Sequence, residues 1–252
     1  MSGVAVLVVA AGKGERVGGA VPKQYAPLLG KPILRWTLEA LGRQPNVSAI
    51  QVAIGPDQAA LYAQAVEGLN VRAPITGGET RQESVRLGLE ALADALPEIV
   101  LIHDAARPLV SDRLVAAVIA TLEAGADAAV PLLPVADTLK KHDGSAWNTV
   151  SREGLHRAQT PQGFRFAKIL RAHRHYAQTN VTDDMALAEL AGLHIREVAG
   201  EEENLKITTP EDFARAETQL RARLGESRTG MAATWQVTCG PELGHCSVPA
   251  GS

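Results

Sequence analysis

Three short clusters in this chain carry residue types that do chemistry on phosphates. The first is Ala10-Ala11-Gly12-Lys13-Gly14-Glu15-Arg16-Val17-Gly18-Gly19, followed by Pro22-Lys23-Gln24-Tyr25. A glycine-rich turn directly after a strand lets backbone N–H groups converge on phosphate oxygens, and a side chain there would block the approach. Two familiar templates fail. The dinucleotide fingerprint needs glycine where Val17 stands, and an acid where the second strand ends in Ile54-Gly55. The Walker pattern needs Lys-Ser/Thr after its second glycine, but Ala20-Val21 follow Gly19. What remains is a phosphate-cradling loop with its own cations, Arg16 and Lys23. Positive charge held there stabilises displacement at phosphorus, which gathers negative charge on the equatorial oxygens. Taken alone, Lys23 reads equally as a solvated surface lysine.

The second cluster is Gly77-Gly78-Glu79-Thr80-Arg81-Gln82-Glu83-Ser84, between a short strand expected at 71–75 and a helix from 82. Gly77, Gly78 and the helix start can hold a base or sugar through backbone groups, with Ser84 adding a hydroxyl; an ordinary strand–helix turn is the alternative. The third is Ile102-His103-Asp104-Ala105-Ala106-Arg107-Pro108, at the C-terminal end of an apolar strand. Ligands of open α/β sheets bind outside that end. Asp104 suits Mg²⁺, which takes oxygen ligands and travels with nucleotide phosphates, and Arg107 can fork onto a second phosphate. An Asp–Arg pair that merely fixes the loop is the competing reading.

The elements that must position these clusters alternate along the chain. Strand-length apolar runs at 4–10, 49–54, 98–103 and 127–133 are nearly continuous in Val, Ile, Leu and Ala, as in strands buried on both faces. Between them, Val85, Leu89, Leu92 and Leu96 form one helical stripe over 82–96, and Ser111 opens a helix over 111–124. Thr209-Pro210-Glu211-Asp212 reads as an N-cap, a proline in the first turn and two acids for the start of the last helix. The alternation predicts an α/β fold with a doubly wound, mostly parallel sheet. The polar stretch from Pro134 to Gln162 breaks the alternation; with a turn at Asp143-Gly144 it predicts a protruding two-stranded β-arm. Such a hairpin is marginal alone, so a homodimer through the arm is expected, a long surface loop being the alternative. Residues 225–252 lack apolar periodicity and read as a linker or tail after a domain over 1–224.

Composition narrows the function classes. The 252 residues are 46% hydrophobic and carry 25 Lys plus Arg against 28 Asp plus Glu, a net charge of −3. That balance gives no footprint for a nucleic-acid or membrane-surface partner, and no run reaches the roughly 18 apolar residues of a transmembrane helix. The start runs straight into Val4-Ala5-Val6-Leu7 with no basic leader. The cysteines, Cys239 and Cys246, are too remote to staple the core, and with His245 they are too few for a closed zinc site. A cytoplasmic enzyme is expected.

Taken together, these clusters resemble the motifs of 2-C-methyl-D-erythritol 4-phosphate cytidylyltransferases. So do Asp137-Thr138-x-Lys140, Thr160-Pro161-Gln162, Thr182-Asp183 and Asn204-x-Lys206-x-Thr208, the likeness covering about residues 3–224. The resemblance implies a nucleotide-diphospho-sugar transferase fold and the joining of CTP to methylerythritol phosphate with release of pyrophosphate, in non-mevalonate isoprenoid synthesis. Carried over, Ala10, Ala11, Gly12 and Gly14 line the CTP phosphates, Arg16, Lys23 and Lys206 act at the α-phosphorus, and Gly77, Gly78 and Ser84 receive cytidine. Asp104 orients Mg²⁺, while Arg107, Thr138, Arg152, Thr160 and Thr182 hold the sugar phosphate, partly from the other subunit's arm. His103 then reads as a packed side chain, and Asp184, where some relatives have Glu, as a harmless acidic swap. Ser227-Arg228-Thr229-Gly230-Met231 is similar to the opening of the cyclodiphosphate synthase to which some relatives are fused, but no synthase motif follows. A cytidylyltransferase for another polyol phosphate, such as ribitol 5-phosphate, and a non-catalytic nucleotide-binding protein are the rival readings.

Overall fold

The first strand, β1 (Val4–Ala10), contains only Val, Ala and Leu and is buried along nearly its whole length. A computed structural model describes residues 3–12, 21–179, 181 and 183–225. After β1 come a 3₁₀ turn at Lys23–Tyr25, the paired short strands β2 (Pro27–Leu28) and β3 (Lys31–Pro32), and α1 (Ile33–Gly42). The chain continues through β4 (Val47–Ile54), α2 (Ala59–Val66), β5 (Ile75–Thr76), α3 (Arg81–Ala91), β6 (Ile99–Asp104), α4 (Asp112–Glu123) and β7 (Ala128–Pro134). There follow β8 (Leu139–His142), β9 (Trp147–Val150), β10 (His156–Ala158), β11 (Gln162–Arg165), α5 (Phe166–His175), α6 (Asp184–Leu190), β12 (Ile195–Ala199) and α7 (Pro210–Arg223).

The main sheet runs β10-β7-β11-β6-β1-β4-β5, with β12 on the other edge of β7. The pairs β1–β4, β1–β6, β4–β5 and β7–β12 are parallel; β11 lies antiparallel between β6 and β7. Side chains of α1, α2 and α4, among them Leu34, Leu38, Tyr62 and Val115, pack on one face. Those of α3, α5 and α6, among them Val85, Leu89, Ile169 and Met185, cover the other. This is the doubly wound, mostly parallel α/β architecture. A third cluster, Leu28, Ile33, Leu109, Leu205, Ile207, Ala216 and Leu220, fastens α7 beside the sheet. Both forecast caps are present: Ser111 accepts from the Leu114 N–H, and Thr209 and Asp212 form a reciprocal capping box.

Three expectations are corrected. The helical stripe stops short: α3 ends at Ala91, a 3₁₀ turn follows at Ala93–Ala95, and Leu96 is 84% exposed with φ 43°. The strand expected at 71–75 is reduced to Ile75–Thr76, because the preceding residues follow the edge of β4 with a single backbone bond from the Arg72 N–H to the Ile50 carbonyl. The excursion is shorter than 134–162. Only β8 and β9 form a separate hairpin, in which Leu139 pairs with Val150 and Asp143 Oδ1 accepts from the Ser145 and Ala146 N–H groups. By His156 the chain has rejoined β7, and β11 is a full member of the sheet.

Candidate active site

The C-terminal ends of β1, β4, β5 and β6 open onto one cleft of about 1500 Å³. It forms where the crossover from β1 leads to β4 on one side while β6 arrives on the other, the place where an open α/β sheet parts to admit a ligand. Ala10, Ala11 and Gly12 line it after β1, Gly55 to Gln58 after β4, Thr76 to Arg81 after β5, and Asp104 to Ala106 after β6.

The glycine turn after β5 meets the Ala11–Gly12 stretch in this cleft. A Cβ on Gly77 would lie 2.6 Å from both the Ala11 Cβ and Ser84 Oγ, and one on Gly78 would strike the Glu83 side chain at 2.2 Å. Absent side chains therefore let the loop after β5 touch the loop after β1. Ser84 is buried in α3; its hydroxyl accepts from the Gly78 N–H (3.1 Å) and donates to the Thr80 carbonyl (2.9 Å), so it shapes the turn from within. Gln24 Nε2 donates to the carbonyls of Ala10 (2.6 Å) and Gly12 (2.9 Å), which fixes the backbone of this stretch. Lys23, next to it, lines the cleft.

Charge concentrates at the end of β6. Asp104 Oδ2 lies 2.8 Å from Lys206 Nζ, Oδ1 lies 3.6 Å from Arg81 Nε, and Arg107 Nε stands 3.9 Å away. Burial opposes a charge on Asp104, but Lys206, Arg81 and Arg107 outweigh it and hold the carboxyl well below the usual range. Lys206 reaches this point because its neighbours Leu205 and Ile207 are buried in the third core cluster, while the Ile207 N–H bonds to the Ala106 carbonyl at 2.9 Å. Arg81 is gripped behind by Asp184, Nη1 to Oδ2 at 2.7 Å. Burial lowers the affinity of Arg81 for its proton, and the two carboxylates more than reverse that, leaving it above its ordinary value.

Behind Asp104 lies a chain of neutral hydrogen bonds. His103, wholly buried, has Nε2 3.0 Å from the Arg107 carbonyl, which can only accept, so Nε2 carries the proton. Nδ1 then accepts the Thr160 hydroxyl (3.2 Å), and Thr160 Oγ1 accepts the Asp104 N–H (3.1 Å). Burial pushes His103 down to about 4, so it is neutral near pH 7. It is a packed side chain.

Of the sequence candidates, Ala10, Ala11, Gly12, Lys23, Gly77, Gly78, Ser84, Asp104 and Lys206 line the cleft together. Gly14, Arg16 and Thr182 lie outside the described residues. Arg107 and Thr160 do not line it: Arg107 is buried with Nη1 on the Asn204 carbonyl at 2.7 Å, so the loop-fixing alternative describes its contacts, and the Thr160 hydroxyl is engaged as above. Thr138 and Arg152 are exposed flanking the β8–β9 hairpin and are not among the residues that line the cleft. Asp184, read as an acidic swap in a helix first turn, does open α6, where it is 1% exposed and holds Arg81 and His173. Sequence reasoning gave no role to Arg81 and Gln24, although both stand inside the quoted motifs. The donors suit a hard cation only if it brings most of its own ligands, as Mg²⁺ with a triphosphate does. Asp104 is one carboxylate already facing cations, and no group of three or more His, Cys, Asp or Glu side chains gathers among the described residues.

Comparison with known proteins agrees with this geometry. The family model for 2-C-methyl-D-erythritol 4-phosphate cytidylyltransferase (IspD) matches residues 4–222. The chain is 49% identical to the bifunctional enzyme IspD/IspF of Bradyrhizobium diazoefficiens over 232 residues, covering 90% of this chain and 58% of that protein. It is 51% identical to the Rhodospirillum rubrum protein of the same name, covering 91% and 60%. It thus spans somewhat over half the length of the curated relatives it matches. Among solved structures, the Thermus thermophilus 2-C-methyl-D-erythritol 4-phosphate cytidylyltransferase superposes with a TM-score of 0.73 at 37% identity, over 87% of this chain and 99% of that one. A cleft of glycine loops and paired charges at the switch point of the sheet, and these likenesses along nearly its whole described length, assign the chain: it belongs to the 2-C-methyl-D-erythritol 4-phosphate cytidylyltransferase family.

Proposed function

We propose that this chain transfers the cytidylyl group of CTP to 2-C-methyl-D-erythritol 4-phosphate, giving the CDP-linked alcohol and pyrophosphate in non-mevalonate isoprenoid synthesis. The observation that carries the reading is the convergence of the Gly77–Gly78 turn and the Ala10–Gly12 backbone with Lys23, Arg81, Lys206 and Asp104 in one cleft. A phosphate oxygen of the polyol attacks the α-phosphorus while the bond to the bridging oxygen breaks and pyrophosphate leaves with the electron pair. The attacking oxygen is already anionic, so no strong general base is required, in keeping with a buried, neutral His103. The backbone after β1 receives the triphosphate, the Gly77–Gly78 turn and Ser84 receive the cytidine, and Lys23, Lys206 and Arg16 stabilise the charge developing at phosphorus. Mg²⁺, held by Asp104 together with phosphate oxygens, would neutralise triphosphate charge.

The same reading assigns Thr138 and Arg152 to the sugar-phosphate pocket of a partner subunit through the hairpin, with Thr160, Thr182 and Arg107 around the polyol. It makes residues 1–224 one catalytic unit in the cytoplasm and gives residues 225–252 no activity of their own. Among the described residues no helix is long and apolar enough to cross a membrane. Pyrophosphate release should be measured with methylerythritol phosphate and ribitol 5-phosphate, each with the four nucleoside triphosphates. Turnover confined to CTP with methylerythritol phosphate is expected. Preference for ribitol phosphate, or CTP binding without release, would overturn the assignment.

A further inference from the structure

Arg81 reaches the cleft from the first turn of α3 and is shared between two acids on different elements. Asp184, at the start of α6, takes Nη1 at 2.7 Å; Asp104, at the end of β6, stands 3.6 Å from Nε. The shorter contact is the one behind the guanidinium. It holds Arg81 back from Asp104, whose other oxygen stays with Lys206 at 2.8 Å. Asp184 is itself braced: its second oxygen lies 3.2 Å from Nε2 of His173 on α5, and the Asp184 and His173 side chains are 1% and 0% exposed. Nδ1 of His173 has no hydrogen-bond partner among the described residues, so Asp184 is the polar partner this imidazole has there. A carboxylate taken out of water is costly, and apolar packing would usually serve stability as well. Here the pair is open at one end: the Arg81 side chain keeps 30% exposure and lines the nucleotide cleft.

We propose that Asp184, braced by His173, is a positioning residue that sets where the Arg81 guanidinium stands in the CTP cleft. Arg81 meets the nucleotide beside the Gly77–Gly78 turn, and the buried pair behind it keeps that cation from collapsing onto Asp104. Burial works against the charge on Asp184, but Arg81 and His173 prevail and keep its carboxyl below the usual range, as a permanent counter-ion requires.

The test is CTP binding by calorimetry, with thermal unfolding measured on the same samples. Asp184→Asn is expected to raise the Kd for CTP at least fivefold, and Asp184→Glu, which keeps the charge, to stay within twofold of wild type. His173→Leu, which removes the N–H donor at similar volume, should raise the Kd twofold to fivefold. Leu170→Ala, a core truncation on the same helix, should lower the Tm while leaving the Kd unchanged. In turnover, the KM for CTP should rise in Asp184→Asn and the KM for the polyol phosphate should not. A Kd within 1.5-fold of wild type in whichever of Asp184→Asn and His173→Leu folds overturns the proposal, as does an equal rise in Leu170→Ala. The inference rests on the cytidylyltransferase reading. Wild type that binds no CTP refutes both, whereas wild type that binds it alongside an unaffected variant refutes the inference alone.

Discussion

The Thr160 hydroxyl donates to Nδ1 of His103 at 3.2 Å and accepts the backbone N–H of Asp104 at 3.1 Å, so one side chain fixes both neighbours at the end of β6. A residue whose only task was to touch substrate would leave the stability of the free protein unchanged. Thr160→Val should instead lower it by about 1–3 kcal/mol, because the Asp104 N–H loses its acceptor in a buried place. Thr160→Ser keeps both bonds and should stay within twofold of wild type in turnover. Denaturant unfolding without ligands, beside pyrophosphate release, checks both.

Stability should fall with acid in a window set by His103. Its folded pKa, pushed down to about 4 by burial, lies below the ordinary 6.5, so the unfolded chain takes up the proton first. The contribution is fully present above about pH 6.5 and is lost as pH falls toward 4, roughly 3 kcal/mol over the interval. Asp104 and Asp184, also depressed, lose theirs at lower pH, below the usual 3.8. His103→Gln should flatten the slope between pH 6.5 and 4 in unfolding curves, and an unchanged slope would contradict this assignment.

Lys206→Ala should separate catalysis from folding. The side chain is 42% exposed and its contact with the buried Asp104 is partly open to solvent, so a modest loss of stability is expected beside a much larger loss of turnover. A loss of charge stabilisation at the reacting phosphate should cost about 100-fold or more in kcat. Single-turnover rates at saturating CTP read the chemical step directly.

Gly77 and Gly12 predict different kinds of damage. Gly77→Ala drives a methyl into Ala11 and Ser84, both at 2.6 Å, and should cost about 1–3 kcal/mol of stability as well as CTP affinity. Among the described residues nothing lies within 4 Å of a Cβ added at Gly12. Gly12→Ala should therefore fold like wild type and lose affinity only if a phosphate approaches there. Unfolding and calorimetry on the pair decide it.

The strands and caps were legible because their causes are local. The apolar run of β1, the N-cap at Ser111 and the Thr209–Asp212 capping box depend on residues within a few positions of each other. The Gly77–Gly78 turn was legible for the same reason. Leu96 misled because it continues the period of Val85, Leu89 and Leu92, and neither Gly nor Pro marks the end of α3 at Ala91. The ion web was not legible, since its partners are distant in sequence. Asp184 is buried by Arg81, 103 residues away, and Thr160 is engaged by His103, 57 residues away. Arg107 shows the same limit: its type suits a phosphate, while its contact with Asn204 depends on the return of the chain before α7.

The closure at the foot of the hairpin has an evolutionary consequence. His156 pairs with Pro134, and the Val135 N–H bonds to the Leu155 carbonyl at 3.1 Å, so the excursion leaves the sheet and returns to it at one point. Such a segment is a cassette. Lineages can lengthen, shorten or exchange it without shifting the register of β7, β10 or β11, and so without disturbing Asp104. Length and sequence can change in this segment while the residues that line the cleft keep their places.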